Sequence, residues 1–272
     1  MCHVCVIESV KARMDRRSFF RIAAAGAAAA AVAPSGADAQ ERTLRYRQVV
    51  DLTHTLTPDF PTYFGTPAYA REMAFSWAKD KFNLYNLSYG EHAGTHFDAP
   101  FHFSADGQSV DQIPLDKLVC PIAVVDVRSK AAADADYRVT PDDLKAFEAK
   151  NGRIPDGACV AMLSGWDAHL GTAKFRGEDA AKTLHFPGFH LEAIDFLAKE
   201  RNVAGIAVDT LSLDHGPSKD FAVHYAWLGS GRYGIEAVAN LAALPPTGAT
   251  LVAGAPKFKG SSGGPGRVMA FV

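Results

Sequence analysis

The stretch that decides the fold begins with Ile122-Ala123-Val124-Val125-Asp126-Val127, continues through Thr140-Pro141-Asp142-Asp143 and ends with Cys159-Val160-Ala161-Met162-Leu163. The first and third runs are short, apolar and rich in β-branched residues, which predicts two buried strands. The middle run predicts a helix start, because Thr can cap the helix, Pro suits its first position and the aspartates face the positive end of the helix dipole. Strand, helix and strand in this order indicate an α/β fold.

The same alternation continues on both sides of this stretch. Leu191, Ile194, Leu197 and Ala198 have the spacing of one helix face, and this second helix is expected to stop near Asn202. Further short apolar runs predict strands at residues 49–52, 205–208 and 250–252. We therefore expect a single compact α/β domain over residues 40–272, with a mixed β-sheet and flanking helices.

Composition limits the kinds of protein that the chain can be. The 272 residues are 48% hydrophobic and 21% charged, enough apolar mass for one large core. Lys+Arg 28 against Asp+Glu 30 gives a net charge of −2, without a long basic stripe, so nucleic acid is not an expected partner. An enzyme or a binding domain for a small molecule is favoured.

The first 39 residues differ in character from the rest. Arg16-Arg17 precedes two phenylalanines, residues 22–32 are nearly all Ala, and Ala37-Asp38-Ala39 has the A-x-A pattern of a cleavage site. This arrangement resembles a twin-arginine export signal. It implies a signal segment over residues 1–39, cleaved after Ala39, recognition by the twin-arginine export machinery and a periplasmic protein without stable membrane insertion. An amphipathic helix or membrane anchor is the alternative, but the apolar run is shorter than the roughly 20 residues of a spanning helix.

Metal-binding residue types are concentrated in one short segment. His92, His96, Asp98 and His102 lie within eleven residues of a chain that has 10 histidines. Gly94 and Pro100 disfavour a helix here, and an extended backbone would project residues 92, 94, 96 and 98 to one side. Imidazole and carboxylate are suitable ligands for Zn or Mn. The alternative is a polar strand edge whose histidines bond to neighbours.

A second pair, His224 and Glu236, lies far downstream beside aromatic residues. Composition and spacing alone make these two residues weak candidates, because a histidine among aromatic residues is usually a packed one.

The upstream segment also carries a family resemblance. The pattern His92-x-Gly94-Thr95-His96-x-Asp98-Ala99-Pro100-x-His102 resembles the signature of the cyclase family of metal-dependent hydrolases, which includes bacterial arylformamidases (kynurenine formamidases) and isatin hydrolases. Other similar stretches follow in order between residues 46 and 272. The resemblance implies the swivelling β/β/α-like fold of that family.

The resemblance also implies roles for individual residues. His92, His96 and Asp98 would bind one divalent ion, and Asp98 could bridge to a second ion held by His224 and Glu236. His102 would be the acid/base group, with the orientation of other site residues as its alternative role. Tyr63 would line the substrate pocket. The implied cofactor is one or two ions of Zn or Mn.

Three functions remain open at this stage. The leading hypothesis is an exported hydrolase of an amide or cyclic-amide C–N bond in a small aryl substrate, acting through metal-activated water. The second is a metal-dependent cyclase or dehydratase of a polyketide-like substrate, and the third is a noncatalytic periplasmic binder of a metal or ligand. We also expect a homo-oligomer.

Overall fold

A mixed sheet of nine strands forms the centre of the protein. The computed structural model describes residues 44–272, so the predicted signal segment lies outside the described residues. The strands are β1 Val49–Asp51, β2 Tyr69–Phe75, β3 Leu84–Tyr89, β4 His96–Asp98, β5 Val119–Asp126, β6 Arg138–Val139, β7 Ala158–Leu163, β8 Gly188–Phe189, β9 Val203–Val208, β10 Tyr233–Glu236, β11 Ala249–Gly254, β12 Gly263–Pro265 and β13 Arg267–Phe271.

Helices connect these strands and cover one face of the sheet. The α-helices are α1 Trp77–Asp80, α2 Leu115–Leu118, α3 Arg128–Ala133, α4 Pro141–Asn151, α5 Ala173–Arg176, α6 Leu191–Glu200 and α7 Ala222–Leu228. Short 3-10 helices occur at Pro100–His102, Val110–Gln112, Trp166–His169 and Leu241–Ala243. Among the residues that the structure describes, no helix has the length and apolar character needed to cross a membrane.

The order of strands in the main sheet is β1-β13-β11-β5-β7-β9-β10-β4-β12. Strands β5, β7, β9 and β10 are parallel to their neighbours in that series, whereas both outer parts of the sheet are antiparallel. This mixture is the α/β class predicted from the sequence.

Both faces of the parallel strands are buried, which explains their continuous apolar runs. Along β5, Ile122 and Val124 belong to one core cluster. Ala123 and Val125 belong to the other cluster, where helices α4, α6 and α7 pack. The first cluster receives side chains from strands near both ends of the order, β1 and β13 as well as β10 and β4, so the sheet curls around it.

The two helices predicted from their sequence signals are present. Thr140 caps α4 by accepting a hydrogen bond from the backbone N–H of Asp143, and the Asp143 carboxylate accepts one from the backbone N–H of Thr140. Helix α6 ends at Glu200, two residues before the predicted stop near Asn202. These boundaries follow the local signals because capping needs only neighbouring residues.

The predicted strand through His92 is wrong. The ladder begins only at His96, and residues 91–95 form a bend. Gly94 has φ +65, a left-handed conformation that interrupts an extended strand. A side-chain carbon at Gly94 would also lie 2.6 Å from Leu56 Cδ1. A turn, and not alternation along a strand, therefore brings His92 towards Asp98.

Candidate metal centre

Two groups of three side chains meet at Asp98, which belongs to both. The first consists of His92, His96 and Asp98, and the second of Asp98, His224 and Glu236. Within each group, one potential ligand atom from each residue lies within 4.8 Å of the others. The structure thus brings together all five ligands that the sequence resemblance implied.

Strand pairing sets the relative positions of the ligands. Strand β4 runs antiparallel to β10, with His96 opposite Glu236 and Gly234 opposite Asp98. His96 Nε2 lies 3.3 Å from Glu236 Oε2 and 3.4 Å from Asp98 Oδ1. A side-chain carbon at Gly234 would lie 3.4 Å from Asp98 Oδ2, so glycine leaves that side of the carboxylate uncrowded.

The histidine of the second group, His224, lies on helix α7. Its Nε2 is 3.1 Å from Glu236 Oε1 and 3.6 Å from Asp98 Oδ2. Glu236 is itself fixed, because its Oε1 accepts a hydrogen bond of 2.9 Å from the backbone N–H of Leu213. The two carboxylates therefore face two imidazole nitrogens in a buried space.

The outer nitrogens of these imidazoles bond to acceptors. His96 Nδ1 donates to the carbonyl oxygen of Gly94 at 2.8 Å, because a carbonyl can only accept. His224 Nδ1 donates to the carboxylate of Asp214 at 2.6 Å. In the neutral rings, each Nε2 therefore carries a lone pair that points towards Asp98 and Glu236. Hydrogen-bonded partners of this kind orient metal-binding histidines in many proteins.

Such an arrangement of acceptors is suited to a cation. His96 Nε2 and Asp98 Oδ2 are buried without a hydrogen-bond partner among the described residues. Burial alone would lower the pKa of His96, but the carboxylates of Asp98 and Glu236 beside its Nε2 outweigh burial and raise that pKa to about 10. The carboxylates thus attract positive charge to this point, and a divalent ion satisfies the same atoms. The donor set fits a metal of the Zn or Mn type.

His102 lies next to the ligands and belongs to neither group. Its ring stacks on His92, with centroids 3.7 Å apart, and lies 6.0 Å from the ring of His224. Burial lowers the pKa of His102 to about 4. At neutral pH the ring is therefore neutral and can accept a proton beside the metal ligands.

The family to which the chain is related can now be identified. A family model described as a putative cyclase matches residues 50–215. The isatin hydrolase of Roseibium aggregatum is 32% identical over an alignment of 244 residues that covers 83% of this chain and 92% of that protein. The chain belongs to the cyclase family. The resemblance predicted from the signature at residues 92–102 is confirmed.

Other members of the cyclase family agree with this assignment. The kynurenine formamidase of Salinibacter ruber is 26% identical over 227 residues, covering 81% of this chain and 96% of its own length. The crystal structure of isatin hydrolase A from Labrenzia aggregata, bound to benzyl benzoate, superposes with a TM-score of 0.78 at 38% identity. It covers 83% of this chain and 93% of the other chain. The predicted family fold is confirmed as well.

Aromatic rings form one wall beside the centre of this cyclase-family protein. Phe103 packs 4.7 Å from the ring of His224, and Phe221 lies 5.6 Å from Phe103. Tyr63, the predicted pocket residue, is half-buried with its ring 5.7 Å from Phe221. Tyr63 and Phe221 also line a cavity of about 670 Å³, whose lining includes none of the five proposed metal ligands.

Some residues near the site gave no clear signal in the sequence. Ser262 lies 2.9 Å from His92, and nothing in its Gly/Ser-rich segment predicts this contact. Glu91 accepts a hydrogen bond from the backbone N–H of Ser262. In the sequence, only its position next to His92 points to a place near the site. Two buried aspartates near the site differ in their contacts: Asp214 bonds to His224, whereas Asp209 accepts hydrogen bonds from the backbone N–H groups of residues 164–166.

Proposed function

We propose that the protein is a divalent-metal-dependent hydrolase that cleaves the C–N bond of a small aryl amide or cyclic amide, of the arylformamidase or isatin hydrolase type. The observation that carries this proposal is the convergence of three imidazoles on Asp98 and Glu236, with neutral His102 stacked beside them. The predicted class, a hydrolase of amide C–N bonds, is confirmed by the named relatives. The substrate type and the roles of individual residues are our proposal.

The bound ion would supply Lewis acidity towards a carbonyl oxygen and lower the pKa of a water molecule. His92, His96, Asp98, His224 and Glu236 would hold it. One or two ions are compatible with the two groups, because each group contains three protein donors and Asp98 has one oxygen towards each. Zn and Mn both accept imidazole nitrogen and carboxylate oxygen.

His102 would transfer the proton that amide hydrolysis requires. Its neutral ring takes a proton from the attacking water, and the resulting imidazolium gives that proton to the departing nitrogen. The ring is held by stacking on His92 and by an edge contact with Phe103, whose centroid is 4.6 Å away. Both contacts leave the ring nitrogens free for this exchange in the plane of the imidazole.

The surroundings favour a small and largely uncharged substrate. Phe103, Phe221 and Tyr63 supply apolar surface beside the ligands. Apolar walls with a few convergent polar groups are typical of small-molecule sites. An aryl ring could pack on these side chains while its amide carbonyl approaches Asp98 and His102.

The test is hydrolysis of an N-formyl aryl amine and of isatin by metal-loaded protein. We expect turnover of one or both, loss of turnover with a chelator and its return with Zn or Mn. His96→Ala and Asp98→Asn should lose bound metal, whereas His185→Gln, which changes a surface histidine bonded to Asp136, should keep it. Failure of fully loaded protein on both substrates, with turnover of a polyketide-like ring-closure substrate, would assign the cyclase alternative instead.

We further propose that the protein is exported to the periplasm by the twin-arginine route. The paired arginines, the Ala-rich run and the A-x-A triplet in residues 16–39 support this localisation. Replacing Arg16-Arg17 by Lys-Lys should leave an unprocessed chain in the cytoplasm. Normal cleavage and periplasmic accumulation of that variant would contradict the proposal.

A homo-oligomer is proposed from the β2–β3 hairpin. In a hairpin, residues that lie directly opposite each other project from the same face. One face of this hairpin carries the pairs Tyr69 with Tyr89, Arg71 with Leu87 and Met73 with Tyr85. Met73, Tyr85, Leu87 and Tyr89 are all exposed, and an isolated two-stranded hairpin is marginal in water. Light scattering should show more than one chain per particle. Leu87→Asp should reduce that mass and Asn86→Asp, on the opposite face, should not; a monomeric parent protein would contradict the proposal.

A further inference from the structure

We propose that Ser262 and Glu91 are positioning residues that hold His92 with its Nδ1 towards the metal. This inference rests on the metal centre of the proposed function. In the first group, the Gly94 carbonyl holds the ring of His96. No backbone carbonyl or helix among the described residues holds the ring of His92 in the same way. The side chain of His92 is 24% exposed, against 6% for His96 and 4% for His224, so packing restrains it least.

Strand pairing fixes Ser262 beside the ligand segment. Ser262 directly precedes β12, which runs antiparallel to β4 with Gly263 opposite Asp98. The carbonyl oxygen of Ser262 also accepts a hydrogen bond of 2.9 Å from the backbone N–H of Ala99. Its hydroxyl therefore stands at a defined place, 2.9 Å from His92 Nε2.

Counting donors and acceptors determines the direction of each hydrogen bond. A carboxylate only accepts, so the Ser262 hydroxyl gives its single proton to Glu91 Oε2. The same oxygen accepts the backbone N–H of Ser262 at 3.0 Å. Because the hydroxyl proton is used, Ser262 Oγ can bond to His92 only as an acceptor, and His92 Nε2 must carry the donated proton.

The opposite ring nitrogen then has a lone pair. In the neutral ring, His92 Nδ1 lies 2.8 Å from Asp98 Oδ1, which is also an acceptor. Two acceptors at this distance repel each other unless a cation lies against both. Glu91 and Ser262 thus give His92 the same arrangement that the Gly94 carbonyl gives His96 and that Asp214 gives His224. In their neutral form, which metal binding requires, all three rings present unprotonated nitrogen to the carboxylates.

The decisive variant is Ser262→Ala, compared with Ser262→Thr, which keeps a hydroxyl. We expect Ser262→Ala to bind Zn about 10- to 100-fold more weakly in competition with a chromophoric chelator, the range for lost hydrogen-bond partners of metal ligands. Ser262→Thr should remain close to the parent protein. Glu91→Gln should also weaken binding, because an amide accepts the serine proton less strongly than a carboxylate does.

A second measurement reads the ring of His92 directly. Nitrogen-15 NMR of imidazole-labelled protein should show His92 protonated at Nε2 in the parent protein, and a changed distribution in Ser262→Ala. The control Ser230→Ala removes the hydroxyl of an exposed serine, which donates to the Trp227 carbonyl at the end of α7, and should change neither measurement. A merely structural effect of Ser262 would alter the melting temperature without altering the tautomer.

Two results would overturn the inference: parent-like Zn affinity in Ser262→Ala, or a loss in Ser262→Thr as large as that in Ser262→Ala. Both experiments measure metal and tautomer without any substrate. A protein that binds Zn tightly through this chain of hydrogen bonds yet hydrolyses no amide would contradict only the proposed function.

Discussion

The ring of His102 lies face to face with that of His92, at a centroid distance of 3.7 Å and an interplanar angle of 18°. The contact joins a proposed metal ligand to the proposed proton carrier. His102 comes from the 3-10 turn Pro100–His102, which directs the chain out of strand β4 and places the ring over its neighbour. A stacked ring keeps its orientation while its nitrogens stay available for proton transfer.

His102→Ala should reduce turnover without removing the metal. The ring is outside both ligand groups, and loss of a positioned acid/base group costs about 10²- to 10⁴-fold in rate. Steady-state kinetics together with elemental analysis of the same sample measures both quantities. If His102→Ala is folded but free of metal, His102 is a ligand and the assignment is wrong.

Protonation of His102 should contribute no acid limb to kcat/KM at the ordinary pKa of histidine. Burial lowers the pKa of His102 to about 4, so the neutral base is present above that pH and is lost only as pH falls through it. Metal content is measured at every pH, so that release of the ion is not mistaken for protonation of His102. Water held by the ion would titrate near neutral pH as well, so the limb of His102 is the one that His102→Ala abolishes. Such a limb centred near 6.5, with the metal retained, would contradict this prediction.

Asp214→Asn should weaken metal binding by about 10- to 100-fold. The Asp214 carboxylate accepts from His224 Nδ1 and from the backbone N–H groups of Val223 and His224, so it sets the position of the α7 ligand. Asp220→Asn is the matched control, because Asp220 is exposed and accepts hydrogen bonds from the Ser218 hydroxyl and the backbone N–H of Ala222, neither of which is a proposed metal ligand. Zn affinity is measured by chelator competition. Equal affinities in the two variants would show that Asp214 does not position His224 for metal binding.

Gly94→Ala should destabilise the protein by about 1–2 kcal/mol, since an L-residue in the left-handed conformation is strained. The added carbon would also lie 2.6 Å from Leu56 Cδ1, so that side chain must move. Gly90→Ala is the control, because a side-chain carbon there meets nothing within 4 Å. Chemical denaturation of both variants gives the comparison. Equal free energies of unfolding for the two variants would show that the bend tolerates a side chain.

Tyr63→Ala should raise KM more than it lowers kcat. Tyr63 contacts Phe221 in the aromatic wall and makes no hydrogen bond to a proposed metal ligand, so its removal takes away binding surface. Tyr46→Ala is a suitable control, since Tyr46 is an exposed tyrosine whose ring contacts Phe271 of β13 and does not line the cavity that Tyr63 and Phe221 share. A selective loss of kcat in Tyr63→Ala would instead place its hydroxyl among the reacting groups.

Local sequence by itself determined the class of fold and identified the upstream candidate ligands. The strands β5 and β7 carry apolar residues for both faces, and Thr140 with Asp143 contains the whole signal for the start of α4. His96 and Asp98 are two residues apart in one strand, so their common side follows from strand geometry. Signals of this kind can be read because the interacting residues are close in sequence.

Only the tertiary structure decided how the remaining groups meet these ligands. The bend at residues 91–95 depends on the left-handed conformation of Gly94. The alternation of side chains along a strand does not predict that conformation. Glu236 reaches His96 through the pairing of β10 with β4, and Ser262 reaches His92 because β12 pairs with β4 on the other side. Strand order and hydrogen-bond direction arise from packing between distant segments, so no local pattern in the sequence specifies them.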